Sequence, residues 1–290
     1  MKNIIKDYFS LLSERLQVVI ETQEEAIRSA ADICAKSITK EKLVFTFGTG
    51  HGAFPAMEMF PRTGTVTGFR PIVESTMISF HRVLGDMGAR QYRFIHSKEG
   101  YGEAILSSHQ IDSEDSMLIF SHSGLNAVTL DIAVGAKKRG LKVIGVTSIP
   151  HSSSTPSRHS CGKRLFELAD VVVDTGVPKN DAGLFIEGLE DPVGATSTSI
   201  AVAVGQAINA ATSAKLIELG HKPMIMVSPN TTEKERANKI NDRNYRELWE
   251  RLRNRSHDQN ICRKQLHRHR DQFRGNTISL LEAGLKDVAS

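Results

Sequence analysis

Two short stretches, FGTGHG at residues 47–52 and SHSGLN at 121–126, hold residue types that bind anions without carrying charge. Each follows an apolar run, Leu43-Val44-Phe45 in one case and Met117-Leu118-Ile119-Phe120 in the other, and each leads into a segment of helical pattern. A turn of Gly, Ser and Thr leaves free N–H groups facing outward at a helix start, where the helix dipole also favours a negative group. Gly48 and Gly50 supply the tight turn, while Thr49, Ser121 and Ser123 add hydroxyl donors. The pair points to a phosphorylated small molecule. Taken alone, the first turn also fits a dinucleotide fingerprint through Gly48, Gly50 and Ala53. That fingerprint wants an acidic residue about twenty positions on, closing a second strand; Glu74 stands late for the role, and the preceding TGFRPIVE reads as a poor strand. Neither turn ends in the G-K-[ST] of a P-loop, which disfavours nucleoside triphosphate hydrolysis.

Several side chains around these turns are candidates for acid–base work. Glu58 follows the first turn among Met57, Met59 and Phe60, apolar neighbours expected to desolvate its carboxylate and raise its pKa toward neutrality; the alternative is an ordinary charged helix position. His51 precedes it by seven residues and so shares its helical face, where it would handle protons or bind a hydroxyl, or else cap the turn. His122 lies between the two serines of the second turn. His159, in SRHSCGK, belongs to a Ser-rich loop over 150–162 that is too long for a plain connector. Glu187, in FIEGLEDP, is a second candidate acid or base, set just before VGATSTS at 193–199, whose Ser197 and Thr198 read as capping or packing residues of the helix that starts there.

The elements that must position these groups follow from the hydrophobic pattern. Ile5, Phe9, Leu12, Leu16, Val19 and Ile20, then Ile27, Ala30, Ala31 and Cys34, recur every three to four positions over residues 4–38, giving one long helix or two in sequence. Strand-like runs follow at 43–47, 91–95, 116–120, 142–147 and 170–174, with 224–228 a candidate last one, and helical stretches at Pro55–Phe60, Tyr101–Ser108, Ala127–Lys138 and Lys163–Leu168 separate most of them. Strands alternating with helices predict a parallel sheet covered on both faces, with ligands beyond the C-terminal strand ends. With 40% hydrophobic and 24% charged residues in 290, the composition is that of an ordinary globular protein. Lys6, Asp7, Glu14 and Arg15 interrupt the apolar N-terminal run, so neither a signal peptide nor a membrane span is expected there. Cys34, Cys161 and Cys262 are odd in number and far apart, which suits a reducing cytoplasm. The net charge of +4 concentrates at 251–275, marking a basic extension over 251–290 beyond a domain at 1–250. It reads as a solvated tail; nucleic-acid binding is the lesser reading, and Cys262, His267 and His269 lack the spacing of a zinc site, so no metal is expected.

These residues resemble the sugar isomerase (SIS) domain family of phosphosugar-binding proteins over about residues 4–250, most strongly in SHSGLNAVTLDIAVGAKKRGLKVIGVTS at 121–148, which is similar to the family's S-x-S-G-x-T phosphate loop and the helix and strand after it. FGTGHG is similar to its first-strand turn, and RHSCGKRLFELAD with VGATSTS resembles a poorly characterised subfamily related to phosphoheptose isomerase. The resemblance implies a three-layer αβα sandwich, flavodoxin-like, with a five-stranded parallel sheet and a long N-terminal helical segment, in a homodimer or homotetramer. It implies that Ser121, Ser123 and Asn126 hold a phosphate, helped by Gly124, the backbone at Leu125 and the Thr49 hydroxyl, Asn126 standing where the family has Thr. In the phosphoheptose isomerases the base glutamate aligns with Arg62 of this chain. The implied reaction is aldose–ketose isomerisation, which needs a base, a donor to the enediolate oxygen and an acid to open the ring, and no cofactor. Deamination of an amino-sugar phosphate, ether elimination, or a non-enzymatic sugar-phosphate sensor are the alternatives.

Overall fold

The computed structural model describes residues 3–78, 88–253 and 255. The periodic N-terminal segment forms two helices, α1 (Ile4–Thr22) and α2 (Glu24–Thr39), parted at Gln23. Asn3 caps the first by accepting the Lys6 amide at 3.2 Å. Then come β1 (Val44–Gly48), a single 3-10 turn at Gly50–Gly52, α3 (Ala53–Glu58), β2 (Phe69–Pro71), α4 (Ser75–Ile78), α5 (Gly88–His96) and α6 (Tyr101–Ser107). The second half runs β3 (Ser116–Phe120), α7 (Ala127–Lys138), β4 (Lys142–Thr147), α8 (Ile149–Ser153), α9 (Leu165–Leu168), β5 (Val171–Asp174), α10 (Ser197–Glu218) and α11 (Lys234–Arg253).

The five strands are all parallel, in the order β2-β1-β3-β4-β5. Alternate strand residues Val44, Leu118, Phe120, Ile144, Val146 and Val173 join the core beneath α2, α3 and α10, while the intervening Phe45, Phe47, Met117, Ile119 and Val143 are buried on the other face, where α7 packs with α5, α6 and α9. Burying both faces explains the unbroken apolar runs. The result is the expected three-layer α/β sandwich. Helix α10 has the length and apolarity of a membrane span, yet it packs along α2 and α3, as a helix apolar all round does in a core.

Two elements differ from the sequence reading. Residues 91–95, expected as a strand, lie inside α5; a run as short as QYRFI fits either period, and tertiary packing decides. The fifth strand comes instead from Phe69–Pro71, within the stretch read as poor strand. Pro71 is tolerated because β2 is an edge strand, where a missing N–H costs no ladder bond. The candidate strand at 224–228 supplies only an isolated antiparallel bridge from Ile225 to Val66.

The chain divides into two compact units, Met1–Leu248 and Trp249–Ser290. Most of the basic extension, including Cys262, His267 and His269, lies outside the described residues.

Candidate functional site

Strand order reverses between β1 and β3, and these neighbours end in register, Gly48 opposite Phe120. The FGTGHG and SHSGLN turns therefore leave the sheet side by side at the crevice where such folds bind ligands. They touch through glycine: a Cβ on Gly52 would stand 2.5 Å from the Phe120 carbonyl oxygen, and one on Gly48 would stand 2.0 Å from the Gly52 oxygen. Only residues without a side chain allow this backbone approach.

The second turn is built to present donors. Gly124 takes the left-handed φ of +61°, and its amide donates to Ser121 Oγ at 3.1 Å. Asn126 Nδ2 donates to Ser123 Oγ at 3.4 Å. Both serine hydroxyls thus act as acceptors within the turn and keep their O–H protons for a ligand. Asn126 is the extended N-cap of α7 but makes no side-chain cap bond, and the amides of Leu125, Asn126 and Ala127 have no acceptor among the described residues. The Ser148 amide and the Thr147 hydroxyl both donate to the His122 carbonyl, at 3.0 and 3.2 Å, fixing the turn to the end of β4.

In the first turn, Thr49 is not the free donor expected. Its Oγ1 is 2.9 Å from His96 Nε2, and the Tyr92 hydroxyl also bonds to it. The two rings stack with centroids 4.9 Å apart, and Tyr92 lies over Gly50, which has φ +55° and where a Cβ would stand 2.7 Å from the Tyr92 hydroxyl. Burial, with the nearby Arg158 charge, pushes the His96 pKa down to about 4, so its imidazole is neutral at neutral pH.

Below the turns is a cavity of about 40 Å³ lined by His51, Ser121, His122, Thr175, Ser197 and Thr198, among others. His51 and His122 thus share one cavity, and Ser197 and Thr198 at the start of α10 line it as well. The cap of α10 is Asp181, which accepts the Thr196 and Ser197 amides at 2.9 and 2.8 Å and the Ser197 hydroxyl at 2.6 Å. Thr175 Oγ1 is buried without a partner. The His122 ring packs edge-on against His151, centroids 4.7 Å apart, and neither ring nitrogen makes a well-formed hydrogen bond. Burial and the His151 charge lower the His122 pKa against the pull of Asp181. His151 is lowered likewise by burial, Lys179 and Arg158.

The other candidates lie apart from the cavity lining. Glu58 ends α3, and its carboxylate pairs with Arg62 one turn on, 31% of its side chain remaining exposed, rather than sitting in an apolar surround. It does not continue the helical face of His51, because His51 lies within the 3-10 turn before α3. Glu187 is exposed in the loop before α10. His159 is held in the body of the protein: Nδ1 accepts the Cys161 amide at 3.0 Å, which leaves Nε2–H to donate to Asp131 Oδ1 at 3.0 Å. Its neighbour Arg158 reaches the SHSGLN turn instead, donating to Asn126 Oδ1 at 3.2 Å.

Sequence reasoning missed Tyr92, His96, His151, Thr175, Asp181 and Arg158. Reading 91–95 as a strand concealed the first two. In the Ser-rich loop attention fell on His159, whereas the side chain that reaches the SHSGLN turn is that of Arg158.

The sequence profile of the SIS domain matches residues 7–148. UPF0309 protein BH3325 of Halalkalibacterium halodurans is 33% identical over 230 residues, covering 79% of this chain and 93% of that protein. A UPF0309 protein of Geobacillus thermodenitrificans is 32% identical over 228 residues, covering 78% and 89%. Among solved structures, phosphoheptose isomerase GmhA from Neisseria gonorrhoeae aligns with a TM-score of 0.48 at 16% identity, covering 73% of this chain and 98% of that one.

Proposed function

The chain belongs to the UPF0309 family of SIS-domain proteins, and we propose that it binds a sugar phosphate and interconverts its aldose and ketose forms. The observation that carries the reading is the joining of the two turns at the switch point, with unused amides at the start of α7 and free serine protons beside them. Phosphate is held by Ser121, Ser123 and the amides of Leu125 and Asn126, which sets the sugar toward His51 and His122. A base takes the proton from C2, the C–H electrons form the C1–C2 double bond, and the carbonyl oxygen takes a proton. Loss of the O2 proton and return of one to C1 then give the ketose. Glu58 is the proposed base, with His51 opening the ring and His122 contacting the sugar. Exposed Ile5, Phe9 and Ile20 on α1 support assembly as a homodimer or homotetramer.

The test is the double change Ser121→Ala with Ser123→Ala. A hydrogen bond to a charged group contributes roughly 1.5–3 kcal/mol, so calorimetry over a panel of sugar phosphates should show at least tenfold weaker binding in a protein with unaltered circular dichroism. Unchanged affinity rejects the phosphate assignment. Solvent deuterium entering C2 of a bound aldose phosphate is the expected sign of isomerisation.

A further inference from the structure

The two turns offer neutral donors, and a phosphate dianion held by them gains further from a guanidinium beside it, which can bond two of its oxygens at once. Arg158 is a cation so placed, beside the SHSGLN turn. We infer that Arg158 is the phosphate clamp of the site, its guanidinium closing on the ligand at the start of α7; this rests on the phosphosugar reading above.

The backbone of Arg158 is sewn to the loop it serves, its amide donating to the Leu125 carbonyl at 3.0 Å while its Nη1 donates to Asn126 Oδ1 at 3.2 Å. The residues beside it are tethers. Ser157 Oγ donates to the Lys163 carbonyl at 2.8 Å, His159 to Asp131 at 3.0 Å, and the Ser160 amide to Glu99 at 2.7 Å. A segment tied this closely holds the start of its long side chain in place, reducing the entropy lost on binding. The acidic groups close to this segment are all engaged elsewhere: Asp131 with His159 and the Gly102 amide, Glu99 with Ser160, Glu167 with Arg164. Arg158 is exposed and has no carboxylate partner among the described residues. Its charge acts on both sides of the site, on His96 beside the first turn and on His151 beside the second. Asn126 fits the same scheme, because its amide oxygen accepts the guanidinium in a way that the hydroxyl-bearing Thr usual there would do less well. Guanidinium geometry suits two phosphate oxygens at once, which a lysine in its place would not match.

The test uses the full chain with inorganic phosphate as probe. Arg158→Ala should weaken phosphate binding in calorimetry by tenfold or more, Arg158→Lys should weaken it less, and neither should lower the melting temperature. Histidine titrations followed by NMR give an independent readout. Removing the Arg158 charge should raise the pKa values of His96 and His151, and saturating phosphate should raise them in the wild type but little in Arg158→Ala; Lys179, Asp181 and His122, which also face His151, are unchanged between the two. If the wild type binds phosphate and Arg158→Ala binds it equally, the clamp is wrong and the phosphosugar reading stands. If the wild type binds neither phosphate nor any sugar phosphate, both fail. Weaker binding by Arg158→Ala with histidines that ignore phosphate places Arg158 outside the site and also overturns the inference.

Discussion

Replacing Gly52 by Ala tests whether the two turns make one site. The backbone of Gly52 is at φ −66° and ψ −17°, which alanine adopts freely, so the whole effect comes from space. The new methyl would stand 2.5 Å from the Phe120 carbonyl oxygen, whereas unstrained contacts begin near 3.5 Å. The first turn must therefore move by roughly 1 Å away from the end of β3. Overpacking of this kind costs about 1–3 kcal/mol, offset by about 0.4–1 kcal/mol from the stiffer unfolded chain. A net loss of about 1–2 kcal/mol corresponds to a drop in Tm of roughly 2–8 °C. Moving one half of a binding site by 1 Å should also cost affinity, by about tenfold or more. Gly220→Ala is the control, since Gly220 has φ +77° with no atom near its absent Cβ; strain lowers its stability and leaves ligand affinity alone. Scanning calorimetry and titration with a sugar phosphate give both numbers. Wild-type affinity in Gly52→Ala, with melting lowered as expected, would mean that the first turn takes no part in binding.

Glu58→Gln should slow C2 proton exchange by about 10² to 10⁴ with affinity little changed; exchange at the wild-type rate removes Glu58 as base. His96 gives a pH signature: the unfolded chain takes up a proton near pH 6.5, whereas folded His96 refuses it until about 4. Its contribution to stability is therefore complete above pH 6.5 and lost as pH falls toward 4, about 3 kcal/mol at most. The fall in Tm over that window should be shallower in His96→Gln, and parallel curves for the two proteins would contradict the buried neutral imidazole.

The sheet was largely legible because fully buried parallel strands announce themselves as unbroken apolar runs, as 117–120 and 143–146 do. β2 was not, because an edge strand of three residues ending in Pro71 carries almost no periodic signal. The second turn was readable from its letters, Ser121 and Ser123 preceding Gly124, which takes a positive φ. What the letters did not convey is partnership at long range. Thr49 reads as a free hydroxyl until α5 brings His96 from 47 positions away. His159 reads as a free side chain, whereas Asp131, 28 positions off, accepts a hydrogen bond from its ring. Both contacts depend on how helices settle on the sheet, which local spacing does not encode.

That same distribution of partners bears on which group could serve as the base of the proposed isomerisation. Asp181 is engaged by two amides and a hydroxyl at the start of α10, so recruiting it would uncap a helix, at about 0.5–2 kcal/mol. Asp131 is committed to His159 and the Gly102 amide, and freeing it would loosen the segment that carries Arg158. Glu58 is bound only to Arg62, a pair one helical turn apart whose arginine side chain is 55% exposed. Such a surface pair contributes about 0.3–0.5 kcal/mol, so a substrate or a small rotation of either side chain can part it at slight cost. Among these carboxylates Glu58 is the one whose recruitment disturbs least. Arg62, the ion-pair partner of Glu58, would then be the residue that holds it in reserve, and its removal should leave the carboxylate freer to act.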